Sequence, residues 1–459
     1  MSQNPSIPTL NSESRIRDPI RSYREPEPAD ASSVSSNKDL TAAISRMRVR
    51  LVPFLMLMYV VSFLDRSNIG FAKQALQNEV GISSSSYALA AGLFFLSYSI
   101  CGFPSNLTLR KIGAKVWMTI LMISWGLASA ATMFVKGAES LYTVRLLLGI
   151  AEAGFFPGVI LYLTYWFPSR VRGEVMGLFY IGVPIAMIFG NPLSGLLLEM
   201  HSLAGLQGWQ WMFLVEGLIA VLVGVAAYWY LDDTPDHAAW MPINERKALT
   251  ELLSAEETER RSFGPAKLVA MICDRQVLTY LAIYTLIQIS VYGVVFYLPT
   301  EVSALIHKPA GIEVGIVSAI PWIFALIAVV WLPRTADRSQ RHRTVAALTM
   351  LLGGCASFAF PTVGPIMGIV SLSVAVSAFI AVQPIFWTFP TGYLADRAAA
   401  GGIAVITMGN LGGFIAPNLK VWADRVFRFE GAGLYLLAGL TVLNAAVILL
   451  VKGSRRPER

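Results

Sequence analysis

Apolar runs of roughly 20 residues, the length a helix needs to cross about 30 Å of hydrocarbon, recur twelve times in this chain. They lie near 51–72, 87–109, 116–135, 140–163, 175–198, 210–231, 277–300, 314–332, 344–361, 366–389, 402–419 and 432–451. A closed β-barrel also satisfies backbone groups in lipid, but its strands alternate in polarity over about 10 residues. These runs are continuous, so the expected fold is all-α and integral to the membrane. Composition agrees: 55% of residues are hydrophobic and 14% charged, with a mean hydropathy of +0.58, outside the range of soluble globular proteins.

The longest polar insertion, 232–275, divides the spans into six and six. The expected organisation is a disordered tail at 1–45, one six-helix bundle at 46–231, a central loop at 232–275, a second bundle at 276–452, and a short tail at 453–459. The tail lacks the apolar core of a signal peptide, and the loop contains the mixed-charge helical stretch INERKALTELLSAEETERR. Cations crowd the loops on the side of the termini, among them Arg110, Lys111, Lys115, Arg170, Arg172, Arg246, Lys247, Arg334, Arg343 and Arg397. The other side has only Lys73, Lys136, Lys308, Lys420, Arg425 and Arg428. This asymmetry predicts that both termini are cytoplasmic, and it assigns the net charge of +7 to topology rather than to a nucleic-acid partner. Cys101, Cys273 and Cys355 lack pairing or ligand spacing, and the four histidines are scattered, so no metal and no cofactor is expected.

The two halves repeat each other. Pro104 and Pro333 are 229 residues apart, Arg170 and Arg397 are 227 apart, and Pro192 and Pro417 are 225 apart. A nearly constant offset of half the chain length implies an internal duplication, hence two pseudo-symmetric bundles. Such repeats characterise secondary transporters, whose substrates bind near the bilayer midplane between the halves.

Ionisable residues inside spans are functional candidates by default. Asp65 and Arg66, in VVSFLDRSNIG, lie some 22 Å along the helix from the near end of span one, about fifteen residues at 1.5 Å each. Arg145 and Glu152, in RLLLGIAEAGFFPG, are seven residues apart and share one face of span four. Two cations and two acids can form a structural salt-bridge set. They also supply what proton-coupled anion binding requires: an arginine that takes a carboxylate bidentately, and an acid whose protonation responds to that arginine's occupancy. The second half has no comparable charges. It offers Gln288 and Tyr292 in span seven, Gln383, Trp387 and Thr388 in span ten, and Asn410 in span eleven, as ligand contacts or as polar glue between helices. Trp387 and Asn410 are the stronger of these. Glu216, in WQWMFLVEGL, reads as structural. Asp337, set among Arg334, Arg338, Arg341 and Arg343, is expected to latch one conformation through charge pairs to facing helix ends.

The six-plus-six plan with duplicated loops resembles the major facilitator superfamily. FLDRSNIGFA, FFLSYSICGFPSNL, RLLLGIAEAGFFPGVILYLTYWFP, GWQWMFLVEG and GNLGGFIAP resemble its anion:cation symporter family, especially the tartrate- and phthalate-type carboxylate permeases, over about residues 46–452. The resemblance implies proton-coupled uptake of a small organic anion across a bacterial inner membrane, by a monomer that is not an enzyme. It implies that Arg66 and Arg145 hold the carboxylate, that Asp65 and Glu152 are the proton-linked acids, that Tyr98 lines the cavity, and that Asn410 contacts substrate from the opposite half. Sugar-acid relatives carry a glutamine in span five where this chain has Val183 and Pro184, and some relatives have tyrosine at Phe63; both differences favour a compact or aromatic acid. Two alternatives stand beside this reading: an exporter of drugs or metabolites, to which the GNPLSG of span five points, and a non-transporting membrane sensor.

Overall fold

The computed structural model describes residues 31–201, 203–262, 274–393, 399–429 and 431–450. The first half contains span one (Ala31–Glu79), two (Ser84–Ile112), three (Ala114–Ala131), four (Ala138–Glu152 continued by Phe155–Trp166), five (Ser169–Leu198) and six (Gly208–Tyr230). The second contains span seven (Arg275–Val295 continued by Leu298–Ile306), eight (Ile312–Ser339), nine (His342–Ala359) and ten (Pro365–Tyr393). Span eleven (Ala399–Thr407 and Gly412–Val426, joined by the 3₁₀ turn Met408–Leu411) and span twelve (Ala432–Leu450) complete it. Among the described residues, eleven segments are long and apolar enough to cross a membrane unaided. Span eleven, which its 3₁₀ turn divides into helices of 9 and 15 residues, is not among them. The chain has the expected twelve-helix plan.

Lipid-facing positions carry exposed Leu127, Phe189, Leu222, Trp229, Trp331, Leu352 and Ile366, while Trp125, Trp166, Trp322 and Arg145 are among the largest fully buried side chains. An arginine in that company marks an interior built for something other than packing. Each interrupted span has a local cause. In span four, Gly154 adopts φ 89°, ψ −5°, a left-handed conformation that only glycine takes without strain, and a Cβ there would overlap the Ser105 hydroxyl. In span seven, Pro299 stands in the first turn of the second segment, where its missing N–H is harmless.

One boundary differs from the expectation of a disordered tail to residue 45. The helix of span one begins at Ala31, and Ala43, Ile44 and Met47 are buried. The central insertion explains this, because its helix Ile243–Ser262 lies against span one. Arg46 grips Glu245 through Nε and Nη2, both at 3.0 Å, and the Arg50 guanidinium sits 4.7 Å and 4.9 Å from the Tyr230 and Trp240 rings.

The halves meet through span five on span eight and span two on span eleven. We call the face of the termini the near face and the opposite one the far face. Toward the far face, Asn191 Nδ2 donates to the Ser318 carbonyl at 3.1 Å, Gln74 Nε2 to Ser303 Oγ at 3.2 Å, and the Ile312 N–H to Glu199 Oε1 at 2.8 Å. Asn418 Nδ2 donates to the Ala88 carbonyl, and Arg425 contacts Ser85. Among the described residues, well-aligned hydrogen bonds between the halves run from the level of Arg66 to the far face; nearer the other end Tyr180 of span five reaches Trp387 of span ten. The molecule is closed at its far end.

Closure depends on Gly315, where a Cβ would overlap the Asn191 carbonyl. Gly315→Val is therefore expected to hold the far end open. With native cysteines replaced by serine, a cysteine at the buried Ser318 position should then react with a membrane-impermeant thiol reagent from the far side. Protection equal to that of the unsubstituted background would show that the seam tolerates the added bulk.

Candidate substrate and proton site

Successive residues of a helix project about 100° apart, so Asp65 and Arg66 face different neighbours. Asp65 turns to span three and accepts hydrogen bonds from Ser129 Oγ at 2.6 Å and Trp125 Nε1 at 3.1 Å. Arg66 turns to span four. Its Nε donates to Glu152 Oε1 at 2.7 Å, and its Nη2 lies 2.6 Å from the same oxygen. Its Nη1 is 3.5 Å from the Tyr292 hydroxyl, which brings the second half to the pair. The guanidinium also lies over Tyr98 at 4.9 Å, Phe63 at 5.2 Å and Phe94 at 5.5 Å. Of the four charges inviting partners, the ion pair joins Arg66 to Glu152, and Asp65 is tied to neutral donors.

Arg145 is left over. It is 1% exposed and sits 5.1 Å above the Phe94 ring, and its Nε and Nη2 are buried without a hydrogen-bond partner. Glu152 Oε2 is likewise buried and unpartnered. Buried polar atoms are nearly always satisfied, because leaving one bare costs about 1–3 kcal/mol and more for charged groups. Two guanidinium nitrogens and a carboxylate oxygen left bare within the first half make this the candidate site. The break after Glu152, the last residue of the first segment of span four, sets this carboxylate at a helix end.

In the second half, Gln288 Nε2 donates to Asn410 Oδ1 at 2.7 Å, and Asn410 Nδ2 donates to the Thr407 carbonyl at 3.0 Å. Asn410 lies in the turn that interrupts span eleven. Gln288 Oε1 remains buried and unpartnered. Trp387 packs against Tyr284 at 5.2 Å and Phe386 at 5.5 Å, and its buried Nε1 reaches Tyr180 of span five without a well-aligned hydrogen bond. Tyr284 connects these groups to the charges, its hydroxyl lying within electrostatic reach of Arg66 and Tyr98. Sequence reasoning missed Tyr284, although Tyr284, Gln288 and Tyr292 recur every four residues and so share a face. It also missed Phe94, Trp125 and Ser129, which carry no signal apart from their neighbours.

The expected latch takes another form in this state. Asp337 Oδ1 pairs with His342 Nε2 at 2.8 Å within its own loop. Arg338 and Arg341 form no ion pair among the described residues. The near-face pairs are instead Arg46–Glu245, Arg48–Glu174 at 2.8 Å and Arg172–Glu256 at 3.7 Å, all within the first half and the central insertion. Among the described residues Arg338 and Arg341 meet no acidic partner on the facing helix ends.

Two broken bundles related by duplication, with charge buried at their junction, define a secondary transporter. The model of the Major Facilitator Superfamily matches residues 55–417, and the chain belongs to that superfamily. It is similar to the inner membrane transport protein RhmT of Escherichia coli (strain K12), at 44% identity over 91% of this chain and 96% of that one. It is also similar to a putative tartrate transporter of Agrobacterium vitis, at 39% identity over 91% and 93%. Among solved structures, a bacterial homologue of the human lysosomal transporter Spinster, inward-facing and occupied, superposes with a TM-score of 0.66 at 15% identity, covering 88% of this chain and 96% of that one; this likeness concerns the fold alone. The protein is a multi-pass membrane transporter and not an enzyme.

Proposed function

We propose that this protein takes up a small organic carboxylate, tartrate-like or aromatic, together with protons, by alternating access across the inner membrane. The observation that carries the reading is Arg145, a fully buried guanidinium with two nitrogens free for a ligand beside the Arg66–Glu152 pair. A carboxylate fits Arg145 bidentately. A proton on Glu152 weakens that acid's hold on Arg66 and frees the second guanidinium for the same anion, so proton and substrate favour one another's binding. Tyr98, Tyr292, Gln288, Asn410 and Trp387 then receive the body of the substrate. The cation-rich near face is the cytoplasmic one, and the state described above is inward-open. Arg338 and Arg341 find their partners when the near face closes. The name of the tartrate-transporter relative supports the substrate class.

The test has two stages. Purified protein is screened by thermal shift against tartrate, phthalate, benzoate and a sugar acid, since a ligand that binds only the folded state raises apparent stability. The acid with the largest shift is then offered to proteoliposomes with an imposed pH gradient. Accumulation that follows the gradient inward is expected. Accumulation indifferent to the gradient would refute proton symport, and gradient-driven extrusion would mark an exporter.

A further inference from the structure

One buried acid is not used by this site. Glu216 in span six is fully buried, its Oε1 accepts from Ser194 Oγ at 2.6 Å, and its Oε2 is buried without a partner. Beside it on span one stands Asn68, also fully buried, its amide within reach of the carboxyl but without a well-aligned hydrogen bond. From span one, Asp65 is the titratable group within electrostatic reach. From span five comes Ser194, and on span three Gly126 packs on the adjacent Gly217. No cation pairs with Glu216 among the described residues, and an ionised carboxylate sealed there without one is strongly disfavoured.

The place of this pocket in the fold gives it a consequence. Ser194 is flanked by the contacts that close the far end: Asn191, three residues before it, bonds to Ser318, and Gly195, directly after it, abuts Gly311. While the seam between spans five and eight is shut, the Glu216 pocket is sealed. Parting it would open the face of span five that carries Asn191 and Gly195, the residues nearest Ser194 along the helix, to far-side water.

We propose that Glu216 is a proton-binding site distinct from the Arg66–Glu152 pair, and that its protonation licenses closure of the far end. With the seam open, Glu216 exchanges its proton with far-side water. In closing, it takes one proton onto a carboxylate oxygen, and the neutral acid is sealed in with the Asn68 amide. The proton returns to far-side water at the next opening, so it regulates the cycle without adding to the protons carried.

The test needs no substrate. A cysteine at position 318, in a background with native cysteines replaced by serine, reports far-end opening through a membrane-impermeant thiol reagent applied from the far side. Its labelling, corrected for the reagent's own pH dependence, is expected to rise several-fold as far-side pH is raised, and to stay at its acid-side level in Glu216→Gln, whose amide mimics the neutral acid. Glu199, which accepts from the Ile312 N–H at the far surface, is the other carboxylate at this seam, and Glu199→Gln isolates its contribution to labelling. If the Glu216→Gln protein does not fold, Ser194→Ala is expected to displace the pH midpoint of labelling. Labelling that ignores far-side pH in the parent, or the same rise in Glu216→Gln, would overturn the assignment. The proposal uses the transporter reading only for alternating access, so failure of carboxylate transport in proteoliposomes leaves this labelling result decisive on its own.

Discussion

Arg145→Lys is expected to lower uptake of the selected carboxylate by about 10- to 100-fold while leaving the protein folded. Charge-assisted hydrogen bonds contribute about 1.5–3 kcal/mol each, and each 1.4 kcal/mol is about tenfold in affinity. A bidentate guanidinium makes two such bonds in a fixed plane, whereas lysine is a flexible point charge that keeps the attraction and loses the fork. Stability without ligand should change little, because Arg145 Nε and Nη2 bond to no protein group that would be stranded. Arg66→Lys is the contrasting case, since it removes the donors that hold Glu152 Oε1 and should lower the melting temperature as well as uptake. Initial-rate uptake and melting curves with and without ligand check both variants. An Arg145→Lys protein that binds as well as the wild type would place the carboxylate elsewhere.

Glu152→Gln should separate movement from coupling. In proteoliposomes, exchange of labelled for unlabelled substrate is expected to continue, while accumulation against a gradient falls to background and its dependence on external pH disappears. The wild type is expected to take up more as the outer solution is acidified, since under the proposed function a proton on Glu152 frees Arg66; the amide cannot take up or release that proton. Stability falls as well. Breaking a buried ion pair costs about 3–5 kcal/mol, and the glutamine carbonyl, still able to accept from Arg66 Nε, recovers part of it. A variant that still accumulates substrate with full pH dependence would move the coupled proton to Asp65.

The twelve spans and the two halves were legible because hydrophobic run length and repeat offset are one-dimensional properties. So was the depth of Asp65, Arg66, Arg145 and Glu152, which follows from counting residues along a helix. The partners were not legible. Adjacent Asp65 and Arg66 suggest a mutual pair, yet helical geometry sends one toward Trp125 and Ser129 and the other toward Glu152. Only the packing of span three against span one could reveal that. The interruption at Met408–Leu411 was missed for a related reason. The residues around it are apolar or small, so the run looks continuous, while the turn comes from glycines packed against span seven, where Gly409 and Gly412 meet the backbone of Thr285. The near-face latch was read from the local charges of its loop, and local charge is silent about which conformation a facing helix end occupies.

The charged groups of the site lie in the first half, Asp65, Arg66, Arg145 and Glu152, and what the second half brings is neutral, Gln288, Tyr292, Trp387 and Asn410. Under the proposed function, energetic coupling and shape discrimination therefore fall to the two separate copies of a duplicated bundle. A lineage of such proteins can change its cargo by drift in the neutral copy alone, with the chemistry that powers transport left untouched in the other.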